Sequence, residues 1–288
     1  MGGPDTIKGI SYQNAYSLYR LIELLDPNSP LESAAPEGKG SDVEDLTLTY
    51  RDGWEEAIQI KKRETQEGQF GLWGLADVRP IIAALFRLTG SRRKIKTYRF
   101  VATGSAHPRL IDIQKACQRL REETYTSERD GRAVHDVQEM TGAGEQAALN
   151  FMQRLWLDVP LESEAFFESA VQNRLVQAFG IPPAAAGQVY NDLYKRLLDR
   201  GKQADPESRQ VDRLVLASWL ENPQEEPLAD EFQTKIRQRV KILRGEGIGA
   251  EIEGVPQEDL DIQQEVDEVT ENGKLLSYRR RSAPPGNQ

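Results

Sequence analysis

The chain has 288 residues, 38% of them hydrophobic and 29% charged, with 46 acidic against 37 basic side chains and a formal net charge of −9. This is enough apolar material for one large or two small cores, and it excludes a chain too polar to fold. The single cysteine, Cys117, excludes an internal disulfide and a cysteine-built zinc site. No apolar run approaches a membrane span and the N-terminus has no signal-peptide core, so the expected compartment is the cytoplasm and no membrane partner is expected.

Along the chain, Ala15, Leu18, Tyr19, Ile22 and Leu25 recur at three- and four-residue steps, predicting a helix over 12–25 that Asp26-Pro27 stops. Residues 28–40 are rich in Pro, Ser, Gly and Ala and predict a loop. Alternation over 45–50, the turn residues Arg51-Asp52-Gly53 and a second run over 54–61 predict a hairpin. Residues 66–74 are glycine-rich and read as a mobile loop. A helix follows over 75–89, and the centre of 96–103 is apolar enough for an interior strand. Past Pro108 the texture turns helical, with predicted helices over 110–123, 144–156, 163–179, 183–198, 208–220 and a basic one over 232–243.

This order predicts an α/β unit over 1–108, a helical module over 109–247 for oligomerisation or partner contact, and an acidic linker or tail over 248–288. Residues 1–110 hold 15 Lys/Arg against 14 Asp/Glu, whereas the remaining 178 hold 22 against 32. The acidity is therefore concentrated away from the first unit, and the total charge does not exclude a nucleic-acid partner.

Strand side chains alternate faces, so Gln59 and Lys61 share one face of their strand while Ile58 and Ile60 share the other. On the preceding strand Asp45, Thr47 and Thr49 share a face, opposite to Leu46 and Leu48. A tight hairpin can then bring Asp45 beside Gln59 and Lys61 at the sheet end. Any surface hairpin has an outward polar face, but one carboxylate, an amide and an ammonium also have a chemical use. Mg²⁺ prefers oxygen ligands and takes few carboxylates, a metal activates water, and an ammonium stabilises charge on a scissile phosphate.

Asp45 followed by Gln59-Ile60-Lys61 at the end of an apolar strand resembles the PD-(D/E)XK nuclease superfamily, and within it the Mrr-like branch in which glutamine replaces the second acid. Gly9-Ile10-Ser11-Tyr12-Gln13 at a helix start is similar to the opening of nuclease domains in bacterial anti-phage effectors, including the Cap4-like type. Phe100-Val101-Ala102-Thr103-Gly104 resembles their third core strand. The resemblance spans roughly residues 7–108. It implies a restriction-endonuclease-like α/β core with a central mixed sheet flanked by helices, followed by a helical module. It also implies a Mg²⁺- or Mn²⁺-dependent endonuclease acting on double-stranded DNA in antiviral defence. Asp45, Gln59 and the Ile60 main-chain carbonyl would hold the metal, Lys61 would be the catalytic lysine, and Gln13 would support the site. Control would come from oligomerisation, an HerA-like ATPase or a fused or associated sensor.

Lys62 and Arg63 extend the site toward phosphate, and Arg92, Arg93 and Lys94, with Arg99 beyond, form a candidate DNA-backbone patch. Asp42 and Glu44 rank below Asp45, Glu44 because it should point to the opposite face. His107 and His135 have no partner at metal spacing, and no P-loop sequence occurs. The rival from another class is a catalytically weak or inactive nuclease fold kept as an interaction scaffold, since glutamine is a neutral ligand. An RNA-cutting enzyme would keep the same site.

Overall fold

The computed structural model describes residues 4–39, 43–63, 71–223 and 228–244. Asp42, the acidic tail and most of the glycine-rich segment lie outside these residues. Helix α1 (Pro4–Leu21) runs into a 3₁₀ turn (Ile22–Leu25), and Tyr12, Ala15, Leu18 and Leu21 form its fully buried stripe. Strands β1 (Leu31–Pro36), β2 (Leu46–Tyr50) and β3 (Glu55–Lys61) follow, then the short β4 (Leu72–Trp73), helix α2 (Leu75–Arg87) with a 3₁₀ end (Leu88–Gly90), and β5 (Ile95–Ala102). The chain continues through β6 (Ser105–Ala106), α3 (Pro108–Arg121), α4 (Ser127–Thr141), α5 (Glu145–Met152) and β7 (Leu155–Asp158). Helices α6 (Glu164–Phe179) and α7 (Pro183–Gly201), β8 (Val211–Asp212), α8 (Arg213–Glu221) and α9 (Asp230–Leu243) complete it.

The result is a mixed α/β fold around a six-stranded sheet of order β7-β5-β3-β2-β1-β8. β1, β2 and β8 pair antiparallel, β2 and β3 form the hairpin, and β3, β5 and β7 run parallel. Strand alternation divides the interior. Leu46, Leu48, Ile58, Ile60 and Val101 join α1 and α6–α9 in one core, while Ala57, Tyr98, Phe100 and Ala102 join α2–α5 in the other. Cys117 is buried in the second core, where burial pushes its thiol up to about 12.

Several predicted elements change: the helix expected over 12–25 starts at Pro4, and the loop expected over 66–74 contains β4. The loop over 28–40 contains β1, whose Ala, Ser and Pro residues have poor strand propensity but gain partners on both sides. Pro36 is tolerated because β8 pairs only with Ser33 and Ala34, so no neighbour requires the missing N–H. The helix expected over 144–156 stops at Met152, and Leu155, Trp156 and Leu157 alternate in, out and in as β7. The helix expected over 208–220 starts only at Arg213, after β8, with the Asp212 side chain accepting from the Val215 N–H as its cap. Helix α4 had no counterpart, because Gly131 and a run of charged residues mask the buried stripe of Ala133, Val134, Val137 and Met140.

The boundary expected at residue 108 falls at the first residue of α3, yet the sheet takes β7 and β8 from beyond it and both cores continue across it. Phe167 of α6 meets Tyr12, Tyr16 and Tyr19 of α1 at centroid distances of 5.8, 5.3 and 5.2 Å.

Beneath this layer Glu56 is buried between Arg20 and Arg99 and accepts the Tyr50 hydroxyl at 2.7 Å. Burial pushes its carboxyl up, but the two guanidinium groups and the Tyr50 hydrogen bond outweigh that and hold it below the usual carboxylate range. The lowered value means that the network stabilises the fold above the ordinary Glu range and loses that contribution as pH falls through the folded-state value. Glu56→Gln should cost roughly 1.5–3 kcal/mol at pH 7, the scale of hydrogen bonds to a charged group, and the difference from native should shrink toward pH 3. Urea titrations of both chains across that range check it.

Candidate active site

The antiparallel register pairs Leu46 with Ile58, which places Asp45 one step further, beside Gln59, where β2 begins and β3 approaches its end. Here the ladder opens. The Asp45 N–H donates to the Ile58 carbonyl at 2.9 Å, and its carboxylate takes over as acceptor for the next strand amide, the Ile60 N–H, at 2.7 Å from Oδ2. The Gln59 side-chain amide and the Lys61 ammonium, the latter at 3.2 Å, donate to the same oxygen. From α1, Gln13 Nε2 donates to the Ile60 carbonyl at 3.3 Å. The sequence-predicted Asp45, Gln59, Ile60, Lys61 and Gln13 therefore meet at one point, at the carboxyl ends of the parallel strands, where open α/β sheets hold ligands.

The electrostatics are those of a crowded carboxylate. The Asp45 side chain is only 14% exposed, and burial, the largest influence, holds it above the usual carboxylate range. The Lys61 ammonium, the Ile60 N–H and Gln13 oppose that shift without cancelling it. Lys61 keeps 37% of its side chain exposed, so it can face both Asp45 and a solvent-borne substrate.

The turn after β5 supports the adjoining strand end. Gly104 sits at φ +102°, and a Cβ there would collide with the Gly71 carbonyl. Thr103 holds the Arg63 N–H on its hydroxyl at 3.0 Å and the Trp73 indole on its carbonyl at 2.6 Å.

The other candidates are placed differently. Glu44 is buried and bonds Arg93 and Thr47 in a polar network with Lys39 and Glu55; it does not turn to the face opposite Asp45 as expected, since Thr47 shares the Asp45 face and Glu44 lines the same pocket as Asp45, but its carboxylate is committed to Arg93. Lys62 reaches Glu164 at 3.4 Å, and Arg63 pairs with Asp77 at 2.8 Å while lying over the Trp73 ring. Arg93 is tied to Glu44 and Glu55. Arg92 and Lys94 are exposed, but they precede β5. The seven strand residues between that end and the Lys61 level span roughly 20 Å, so this patch lies at the opposite end of the sheet. Arg99 is committed to Glu56 and Asp158. His107 caps α3 through its side chain.

Sequence reasoning missed Glu37. A pocket of about 440 Å³ opens beside Asp45 and is lined by Glu37, Glu44, Ile10 and Asn14 and, from α7 onward, by Leu198, Gly201, Lys202 and Arg209. The Glu37 N–H donates to the Asp45 carbonyl at 2.8 Å. Partial burial, and after it the charge of Asp45, holds the Glu37 carboxyl above its usual range, with Arg209 and Lys61 opposing. Nothing in the run Ala34-Ala35-Pro36-Glu37 signals this, because its placement depends on β1 being a strand.

No family model and no curated protein matches the chain. Among solved structures it is similar to the Acinetobacter baumannii Cap4 SAVED/CARF-domain containing receptor with the cyclic trinucleotide 3'3'3'-cAAA, at 14% identity and TM-score 0.49, over 78% of this chain and 50% of that one. The corresponding Moraxella osloensis receptor is similar at 14% identity and TM-score 0.48, over 78% and 52%. The chain thus spans about half the length of these receptors. No helix among the described residues is long and apolar enough to cross a membrane.

Proposed function

We propose that the chain is a metal-dependent DNA endonuclease with a restriction-endonuclease-like core, serving as an effector of bacterial antiviral defence under the control of a partner or of oligomerisation. The observation that carries the nuclease reading is the convergence of Gln59, Lys61 and the Ile60 N–H on one oxygen of Asp45 at the sheet end. The defence role follows from the sequence motifs.

The donor set suits Mg²⁺ or Mn²⁺. It consists of oxygens, namely the Asp45 carboxylate, the Ile60 carbonyl and the Gln59 amide oxygen. Among the described residues no group of three or more His, Cys, Asp or Glu is gathered, so a cation here would keep much of its shell for water and phosphate. A divalent cation would supply water activation and charge stabilisation on the phosphate. The chain's own groups do the rest. Gln59 and the Ile60 N–H fix the Asp45 carboxylate, Gln13 orients the Ile60 carbonyl, and the half-exposed Lys61 ammonium stabilises negative charge developing on a phosphodiester.

Supercoiled plasmid incubated with Mg²⁺ or Mn²⁺ tests this. Native chain should nick or linearise it, and Lys61→Ala should slow cleavage by roughly 10²–10³-fold, the usual effect of removing one charge-stabilising donor. Cleavage unchanged by that substitution sinks the site assignment. Inert native chain, with either metal and with partner added, turns the reading to a scaffold. Cleavage of RNA but not DNA would keep the site and change the substrate.

A further inference from the structure

We propose that Glu37 supplies the second carboxylate of the cation site, the one that the neutral Gln59 does not provide; the assignment rests on the nuclease reading above. The need is one of charge. Asp45 already faces the Lys61 ammonium at 3.2 Å, so this pair alone presents no net negative charge to a divalent cation. Glu37 stands where an additional acid would have to be. Its N–H is bonded to the Asp45 carbonyl at 2.8 Å, and both side chains line the same pocket.

The position is built rather than incidental. Glu37 adopts φ +56°, in the left-handed region that non-glycine residues seldom occupy, and Gly38 follows at φ +64°. A Cβ on Gly38 would overlap the Glu44 side chain, so the chain leaves β1 through this turn only with glycine there. Helix α7 passes so close at Gly201 that a Cβ on that residue would lie 3.3 Å from Glu37 Cγ, which restricts where the stem can go. Arg209 and Lys202 are the nearby cations: Arg209 donates to the main-chain carbonyls of Glu37 at 2.9 Å and Gln203 at 2.7 Å, and Lys202 pairs with Asp199 at 2.9 Å. Arg209 anchors the turn, and Glu37 is an exposed residue that lines the pocket.

Mn²⁺ binding by the full chain, followed by electron paramagnetic resonance and calorimetry without DNA, tests the assignment. Glu37→Gln keeps shape and removes charge, Glu32→Gln alters an exposed acid of β1 as a control, and Asp45→Asn removes the sequence-predicted carboxylate. Native chain should bind Mn²⁺, Glu37→Gln should weaken it roughly tenfold or more, and Glu32→Gln should bind as native. Binding lost in Asp45→Asn but native-like in Glu37→Gln overturns the role of Glu37 and leaves the nuclease reading standing. Native chain that neither binds Mn²⁺ nor cuts plasmid removes both together. Melting curves confirm that each variant is folded.

Discussion

Asp45→Asn should abolish plasmid cleavage while leaving the chain folded and no less stable than the native protein. The carboxylate is buried and held above its usual range, so the folded state pays to keep it charged at neutral pH. A neutral amide of the same shape relieves that cost. It can still accept from the Ile60 N–H and the Gln59 amide through its oxygen, so the opened end of the ladder keeps its bridge. Activity should nevertheless fall by roughly 10²–10³-fold or to the blank, because the amide no longer balances Lys61 or attracts a cation. Stability gained where activity is lost is the signature of a group kept for function. Cleavage assays beside thermal melts decide it. A variant that melts well below native, or that cuts normally, would show that Asp45 serves only to tie the strands.

The second large effect concerns Phe167. Its ring is 2% exposed and touches three tyrosines of α1, so Phe167→Ala empties a site walled by two helices separated by about 150 residues of sequence. Truncations of this kind cost about 3–5 kcal/mol. For a chain of this size each kcal/mol lowers the melting temperature by roughly 2–4 °C, so a drop of order 10 °C is expected. One cooperative transition should move as a whole, because α1, the sheet and α6–α9 share a core. Two separate transitions, with only the later one shifted, would mean that the helical half folds as its own unit.

The elements legible in the sequence were those whose local pattern agrees with their surroundings. Alternation gave both strands of the hairpin, and parity singled out Asp45 from its acidic neighbours. The first helix stops before Asp26-Pro27 through its 3₁₀ turn, Gly180 ends α6, and Pro182-Pro183 starts α7. What the sequence did not disclose was decided at a distance. β1 exists through pairing with β2 and β8, and β8 arrives from residue 211. β7 is an apolar triplet whose period of two is too short to compete with the helical run before it. Glu37 joins the candidate site only because β1 ends opposite the start of β2, and Arg209 only because the segment before β8 folds back over that turn. The basic run at 92–94 is a case where composition is legible and placement is not. Clustered charge alone says nothing of position, and the parallel register sets this run at the end of the sheet away from Asp45 and ties Arg93 into ion pairs.

The two outer strands of the sheet have a consequence for how copies of this protein could meet. β8 offers two residues before turning into α8, and β7 offers four. On β7 the outward Trp156 lies under the guanidinium groups of Arg121 and Arg99, at 3.9 and 5.2 Å from the ring centroid. Margins this short and this charged give an incoming strand almost no ladder to extend. The described part of the chain is thus guarded against stacking sheet to sheet into open-ended arrays. A regulated assembly built from it would then meet through surfaces other than these two margins.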